Sequence, residues 1–412
     1  MVKDLKNKCL LIWYESSSKV NFEDKRINFT NKLGNERKIE NFRKGLFKTL
    51  KQIPEGEMEI DIWRDKVFNE VKAMECSLSN YDESLIDFFI QSGYGNVTRE
   101  FIDCVKAFDP LMDVYDIFQA IRNVWIMNSI QILYEMEVKL TPSIFSYSML
   151  YPYSDNYLDN PHISHKEKME FNDRFRMWLL GEDNKPLNSM EKNIYNLVKK
   201  IEDEFDRKIY TEVFESLISI HKAQEQSLTQ QRERSVFYEK DIIGISFEKG
   251  GTSVLADGYL VRGKLKEAEA YFMFYYGVFL QIIDDLQDVK EDYDNNHMTI
   301  FSQIGKGYKL DRLINKLLNF IDIFFENENT FISENALKLK KVIRDCSRIM
   351  IYEAISRNKK RFSKGYIKKI EGYSIVRFSY LKKLKRKFQK TFSQEDIIKI
   401  CNILSSNYEK SW

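Results

Sequence analysis

Helical periodicity, together with a shortage of residues that interrupt helices, constrains the fold of this chain most. Only 6 prolines and 16 glycines occur in 412 residues, well below ordinary usage. Apolar residues recur three and four positions apart in long charged segments such as 191–224, which is typical of amphipathic helices. Strand-like alternation with tight turn pairs is nearly absent. The sequence therefore predicts an all-α fold, and its apolar share of 43% is enough for a sizeable core.

The charge and cysteine composition narrows the classes of partner. Acidic and basic residues nearly cancel, with 62 Asp and Glu against 64 Lys and Arg, so the positive footprint that nucleic-acid binding needs is lacking. Five scattered cysteines without C-x-x-C spacing argue against a zinc site and favour a reducing compartment. No apolar run is long enough for a signal-peptide core or a membrane span. We expect a cytoplasmic protein with no transmembrane segment and no nucleic-acid partner.

An acidic stripe follows an apolar helix in YYGVFLQIIDDLQDVKED (275–292). Asp284, Asp288 and Asp292 are four residues apart, which places them on one helix face about 6 Å from each other. Asp285 lies beside that stripe. Like charges at this spacing repel each other and destabilise a helix, whereas Mg²⁺ binds through a few carboxylates together with water and substrate phosphates. The stripe therefore predicts a metal site, and a solvated acidic helix end is the alternative.

A second pair of acids, Asp155 and Asp159, ends the aromatic segment SMLYPYSDNYLDNP (148–161). These two carboxylates also share one helix face, and Pro152 predicts a kink or a break before them. Two such motifs suggest two helices that face each other across an apolar cavity and share metal ions at its mouth. Metals held there would bind a diphosphate, and the apolar walls would hold its hydrocarbon tail.

These motifs resemble the metal-binding motifs of class I isoprenoid synthases, the superfamily of terpene synthases and trans-prenyltransferases. The segment GVFLQIIDDLQDVKED is similar to the second aspartate-rich motif of trans-prenyltransferases and to the corresponding helix of squalene and phytoene synthases. DNYLD (155–159) resembles the first aspartate-rich motif. The resemblance covers roughly residues 110–400 and implies a helical bundle around a central apolar cavity. It also implies Mg²⁺ (three ions in the family, with Mn²⁺ as an alternative) held by Asp155, Asp159, Asp284, Asp285, Asp288 and Asp292.

The resemblance implies further site residues. Catalysis would depend on Asp155, Asp159, Asp284 and Asp288. The segment FEKGGTSVLADGYLVRG (247–263) resembles the kinked helix before the second motif, so we expect two glycines to break a helix and free backbone N–H groups for an anion. An ordinary capped turn between helices is the alternative. The residues expected to bind diphosphate are Lys249, Gly250, Gly251, Thr252, Arg232 and Arg361, although a solvated helix surface is the alternative for the two arginines.

Aromatic residues near the motifs are expected to pack mainly in the core, but some would face a carbocation, which an aromatic ring stabilises through its quadrupole. The residues predicted to line the substrate pocket are Tyr151, Tyr147, Trp125, Tyr276 and Leu280. The four histidines lack the spacing of metal ligands. No general base is evident, and the diphosphate itself could serve as one.

Three functions fit this reading. We expect a terpene synthase, a carbon–oxygen lyase that ionises an allylic polyprenyl diphosphate and cyclises or rearranges the carbocation. A prenyltransferase, chain-elongating or head-to-head, comes second, because the G-K-x-x-R-P-type motif and the two arginines after the first aspartate motif of elongating enzymes are absent. A non-catalytic helical partner that keeps the fold is third. We expect an N-terminal helical extension, 1–105, on a synthase-like domain, 106–412; the oligomeric state, a homodimer included, stays open.

Overall fold

Helices supply the regular secondary structure of the protein, which we describe from a computed structural model. The structure describes residues 1–20, 26–54, 56–78, 88, 91–160, 162–230, 240–303, 308–389, 396 and 399–400. Within these residues there are α-helices and short 3₁₀ turns but no strand. The predicted all-α class is therefore confirmed.

The helices are numbered here in chain order. They are α1 (Val2–Glu15), α2 (Phe29–Leu50), α3 (Glu57–Leu78), α4 (Tyr94–Phe108), α5 (Val114–Leu133), α6 (Pro142–Asp159), α7 (His165–Leu180), α8 (Ser189–Glu204), α9 (Thr211–Ser227), α10 (Ile242–Arg262), α11 (Glu267–Gln287), α12 (Val289–Asp294), α13 (Asp311–Asn327), α14 (Glu334–Arg357), α15 (Lys364–Glu371) and α16 (Phe378–Gln389).

The centre of the fold is the pair α10 and α11, which a short turn at Gly263 connects. Helices α5, α6 and α9 pack against α10, whereas α13 and α14 pack against α11. The two central helices approach each other closely because glycines meet at their crossing. A Cβ atom added at Gly277 would lie 2.0 Å from the carbonyl oxygen of Gly250. Only glycine allows backbones to come this near.

The N-terminal helix α1 packs on the same body, against α10, α11 and α13. Its buried face carries Leu5, Cys9 and Trp13, and the Trp13 ring meets Phe247 and Phe320 edge-on at 5.9 and 5.4 Å between ring centroids. The predicted domain boundary after residue 105 falls inside helix α4, which packs against α5. The division into an extension and a core domain stays a prediction.

None of the helices in the described part of the chain is both long enough and apolar enough to cross a membrane.

Candidate functional site

A cavity of about 870 Å³ lies among the central helices, with walls that are mostly apolar and aromatic. Its lining comes from α3, α4, α5, α6, α7, α9, α10, α11 and α14. This volume is at the upper end of the range for ligand pockets, about 300–1,000 Å³. The five residues predicted to form a pocket all line it: Tyr151, Tyr147, Trp125, Tyr276 and Leu280. The sequence thus selected residues that the fold brings together, and their role in binding stays a prediction.

Helix α6 carries one wall of the cavity and the first pair of acids. Thr141 caps its start by accepting a hydrogen bond from the backbone N–H of Ile144, and a proline at the first helical position suits such an N-terminus. The helix continues through Pro152 rather than breaking there. Because residues four apart share a helix face, Tyr147 and Tyr151 lead directly to half-buried Asp155. The side chain of Asp159 lies outside the described part of the structure.

Helix α11 carries the opposite wall and the second acidic motif. The helix ends at Gln287, but backbone hydrogen bonds of 2.9 Å run from Asp288 N to Asp284 O and from Asp292 N to Asp288 O. These bonds keep the helical spacing from α11 into α12, so the acidic stripe keeps its predicted geometry. Asp284 lines the cavity, whereas Asp288, one turn later, is exposed.

Charges from both motifs act on Asp284. Burial within the protein and then the neighbouring Asp288 raise the pKa of Asp284, and Asp155 on the facing helix adds to that increase. Lys249 and Arg122 oppose it by favouring the carboxylate. Although Asp284 is exposed to the cavity, surrounding protein shields it from bulk water. Asp284 therefore lies within the electrostatic reach of Asp155 on α6, of Asp288 and of two basic residues.

Tyr151 belongs to the same cluster. The charge of Asp155, one turn later on α6, is the main cause that raises the pKa of Tyr151, followed by burial and by Asp284. Arg122 acts in the opposite direction. The Tyr151 hydroxyl therefore stays protonated and remains a hydrogen-bond donor beside the acids.

The other two acids of the second motif have different surroundings. Asp285 is buried, and its two oxygens accept hydrogen bonds of 2.8 Å from Ser246 and Gln281. The Ser246 bond joins α10 to α11, whereas the Gln281 bond lies within α11. Both oxygens of Asp285 are thus already paired, and its metal role stays a prediction. Asp292 is half-buried and accepts a hydrogen bond of 3.3 Å from the Thr299 hydroxyl. Burial, followed by the nearby acids, raises the pKa of Asp292 to about 8.

The predicted helix break at Gly250 and Gly251 is wrong, because α10 is one continuous helix from Ile242 to Arg262. The glycines serve packing instead. A Cβ at Gly250 would lie 2.5 Å from the carbonyl oxygen of Gly277, and a Cβ at Gly251 would lie 2.5 Å from the ring of Phe274.

The diphosphate-binding role predicted for the segment around these glycines must be corrected accordingly. Inside a continuous helix, the backbone N–H groups of Gly250, Gly251 and Thr252 point along the helix axis and are used by its own carbonyls. The hydroxyl of Thr252 donates a 2.6 Å hydrogen bond to the carbonyl of Glu248. None of these groups is set up to bind an anion, although Gly250 itself lines the cavity.

The basic residues predicted to bind diphosphate lie in different places in the structure. Lys249 lines the cavity, and its charge acts on Asp284, Asp285 and His297. Arg361 contacts α12, the helix that carries Asp292: it donates a hydrogen bond of 3.3 Å to the carbonyl of Val289 and lies over Tyr293 with its carbon Cζ 5.2 Å from the ring centroid. Arg232 lies outside the described residues. Among the described residues of this set, Lys249 lines the cavity and Arg361 does not.

Arg122 on α5 lines the cavity beside Asp284, and the sequence interpretation missed it. A signal was present, because Arg122 is the only charged residue in the 18 residues from 117 to 134. An arginine alone in an apolar helix must reach an acid, an anion or water. Gln281 and Gln287 add amide groups to the same part of the lining.

A buried polar group lies behind the cavity wall. Asp257 on α10 is fully buried, and one of its oxygens accepts a 3.2 Å hydrogen bond from the Asn123 amide, which lines the cavity. The other oxygen has no hydrogen-bond partner among the described residues. Burial raises the pKa of Asp257 well above its usual range, which favours the neutral carboxyl.

No three Asp, Glu, His or Cys side chains are close enough to form a metal site by themselves within the residues that the structure describes. The magnesium site stays a prediction.

Comparisons of the chain with protein-family models, with curated proteins and with solved structures found no match. The membership of the isoprenoid synthase superfamily that the motifs imply therefore also stays a prediction.

Proposed function

We propose that this chain is a Mg²⁺-dependent class I terpene synthase that ionises an allylic polyprenyl diphosphate and cyclises or rearranges the carbocation. One observation carries the proposal: Asp155 on α6 acts electrostatically on Asp284 of α11, which lines a large apolar cavity. Lys249 and Arg122 lie in the same cluster. Acids, cations and an apolar chamber side by side are what a substrate with an anionic head and a hydrocarbon tail needs.

The donor set fits magnesium that is bound together with a diphosphate. Carboxylate oxygens are the ligands that Mg²⁺ prefers, and the ion usually completes its coordination with water and substrate phosphates. The raised pKa of Asp284 reflects burial and carboxylates that repel each other, a situation that a bound cation relieves. When bound, Mg²⁺ would neutralise the diphosphate and make it a better leaving group. In this assignment Asp155, Asp284 and Asp288 hold the metal, and Asp292 supports them from α12.

The chain's own basic residues would bind and orient the diphosphate. Arg122 presents a planar guanidinium that pairs with two phosphate oxygens at once, while Lys249 acts as a point charge. The Tyr151 hydroxyl, which stays protonated, adds a donor in the same cluster. Together these groups would position the substrate so that its scissile carbon–oxygen bond lies at the boundary between the charged cluster and the apolar chamber.

The cavity walls would hold the hydrocarbon chain and keep water away from the cation. Tyr147, Trp125 and Tyr276 surround the space with aromatic rings, which stabilise a nearby positive charge. Exclusion of water protects a reactive intermediate from premature capture. The length of the substrate and the conformation of its bound hydrocarbon chain would then decide which carbon atoms react with each other.

Incubation with C10, C15, C20 and C25 allylic diphosphates plus Mg²⁺ tests the proposal, with diphosphate release and products measured. We expect release from one allylic substrate alone and a cyclic or rearranged hydrocarbon product. Asp155→Ala should abolish release, whereas the matched control Asp294→Ala should not, because Asp294 is exposed and paired with Lys290 at 2.7 Å.

Other outcomes have definite meanings in the same experiment. A requirement for a second isoprenoid diphosphate would replace the synthase with a prenyltransferase. Absence of release from every substrate, from protein shown to be folded, would refute an enzymatic role and favour a non-catalytic helical partner.

A further inference from the structure

His221 lies in the wall of the cavity on helix α9, and neither the acidic motifs nor the proposed function uses it. Its side chain is only 2% exposed, and it lines the cavity together with Leu217 and Gln224. Phe175 of α7 meets the imidazole edge-on, with 5.1 Å between the ring centroids. The ring is thus held in place within a mostly apolar wall.

Both ring nitrogens of His221 are buried, and neither makes a well-formed hydrogen bond within the described residues, although a backbone group of Asn172 on α7 lies close enough to favour the protonated ring. A neutral imidazole carries one N–H donor and one lone pair. Leaving such a group unpaired in a protein interior costs about 1–3 kcal/mol, so each case in a folded protein requires a reason, and a catalytic role is one. An unpaired lone pair next to a reaction chamber is such a case.

Glu225, one turn after His221 on α9, determines how the ring can use its two nitrogens. Its Oε2 atom lies 3.9 Å from Nδ1 of His221. A carboxylate at that side favours the tautomer with the proton on Nδ1 and leaves the lone pair on Nε2. The same carboxylate, together with Asp173, would stabilise the imidazolium after protonation, whereas Arg176 and Lys222 oppose a positive ring. Burial lowers the pKa of His221 to about 4, so the ring is neutral and has its lone pair near pH 7.

The position of His221 along α9 separates it from the diphosphate. The 3₁₀ turn after α9 ends at Gln230, whose side chain donates a 2.8 Å hydrogen bond to the carbonyl of Met298. His297, next to Met298, donates its backbone N–H to the carbonyl of Asp292, so Gln230 lies beside the segment that follows the acidic stripe. His221 lies nine residues earlier, about 13 Å along a helix. A base there meets a different part of the hydrocarbon chain from a diphosphate at the acids.

We propose that His221 is the proton acceptor that ends the reaction in this cavity, an inference that rests on the proposed function. Nε2 takes a proton from a carbon next to the cationic centre, and the electron pair of that C–H bond forms the new C=C bond. The carbocation becomes a neutral alkene, and the imidazole becomes an imidazolium paired with Glu225. Glu225 is 28% exposed and can pass the proton to water, which restores the neutral ring.

Product analysis of His221→Phe and His221→Gln tests this role. Products are compared per diphosphate released, so a slower first step does not affect the comparison. We expect the fraction of the wild-type alkene to fall at least 10-fold, with other alkenes or water-trapped alcohols in its place. Ile220→Val, at a neighbouring position of the cavity lining, reports how far a change of wall shape alone alters the products. Glu225→Gln should shift the products in the same direction as the His221 variants, but less.

A second measurement does not depend on turnover. The chain has four histidines, and the His221→Phe variant assigns the imidazole ¹⁵N signals of His221 by their loss. Binding of a C20 isoprenoid alcohol should shift these signals. Signals that stay unchanged when the alcohol binds, or a His221→Phe product profile that equals that of Ile220→Val, overturn the inference. If the wild-type protein releases no diphosphate from any allylic substrate, the proposed function fails and this inference fails with it; release with unchanged products overturns the inference alone.

Discussion

Replacing Gly277 with alanine would test the contact that holds α10 and α11 at the distance on which the site depends. The added Cβ would lie 2.0 Å from the carbonyl oxygen of Gly250 and 3.1 Å from Cβ of Val254. Ordinary contact begins near 3.4 Å, so the backbones must separate by about 1.4 Å or distort, since atoms repel steeply below contact distance. Backbone atoms, unlike the end of a flexible side chain, cannot rotate out of the way.

The expected cost follows from two opposing effects. Overpacking a well-packed core costs about 1–3 kcal/mol, and we take the upper value because the obstacle is backbone. Alanine is better than glycine within a helix by about 1 kcal/mol. The net loss is about 2 kcal/mol, which corresponds to a melting temperature lower by about 2 °C for a chain of this length.

Gly34→Ala is the matched control, since Gly34 also lies within a helix, α2, but has no atom within 4 Å of an added Cβ. That variant should melt slightly above the wild type, because only the gain of about 0.5–1 kcal/mol in helical preference remains. Calorimetric melting temperatures of both variants measure whether the contact at Gly277 makes the added methyl group destabilising. Gly277→Ala should also release diphosphate more slowly at temperatures where it is folded, because Lys249 and Asp284 lie on the two helices that separate. A Gly277→Ala protein that melts at or above the wild-type temperature would show that the contact is not limiting.

Three further predictions concern single side chains of the site. Asp288→Ala should lower turnover about 10²-fold or more while metal-free stability holds or rises, because one of several repelling carboxylates is gone; wild-type activity would refute its metal role. Arg122→Gln should raise KM for the diphosphate substrate at least 10-fold, since a charged hydrogen bond contributes about 1.5–3 kcal/mol; an unchanged KM would remove Arg122 from the binding site. For Asp257, burial raises the folded-state pKa, so the wild-type protein loses stability as pH rises from about 4, the value in the unfolded chain. Asp257→Asn lacks this loss, and its melting temperature relative to wild type should therefore rise between pH 5 and pH 8; a difference that does not vary with pH would contradict the assignment.

Local spacing was enough to predict which side chains share a face. Residues four apart on one helix stay neighbours whatever the tertiary packing, so the sequence alone grouped Asp155 with Asp159 and, separately, Asp284 with Asp288 and Asp292. That the two groups belong to one site was inferred from their common order, with aromatic residues before acids. The electrostatic influence of Asp155 on Asp284 supports that inference.

The glycine pair Gly250 and Gly251 shows a feature that the neighbouring residues in the sequence could not predict. A glycine within a helical pattern indicates either an interruption or a close approach of another backbone, and the residues around Gly250 and Gly251 do not distinguish the two. The distinction depends on Gly277 and Phe274, which are distant in sequence and meet α10 only after folding. Arg122 differs, because its isolation among uncharged residues was visible in the sequence. His221 could not be identified, since its unpaired nitrogens are a property of its neighbours.

The balance of charge around the cavity gives the strongest reason to consider metal and diphosphate together. Asp155, Asp284 and Asp288 lie with Lys249 and Arg122, so negative charge is in excess there. A diphosphate alone would meet carboxylates that repel it, and the two basic residues offset only part of that repulsion. Divalent cations alone would be attracted but would lack the phosphate oxygens that usually complete their coordination. A bound diphosphate would therefore raise the affinity for divalent cations, and bound cations would raise the affinity for diphosphate. By thermodynamic linkage, the two increases in affinity are equal. Under the proposed function, a site of this composition would bind the anion and its cations as a unit, which is the condition under which a diphosphate can leave with its charge neutralised.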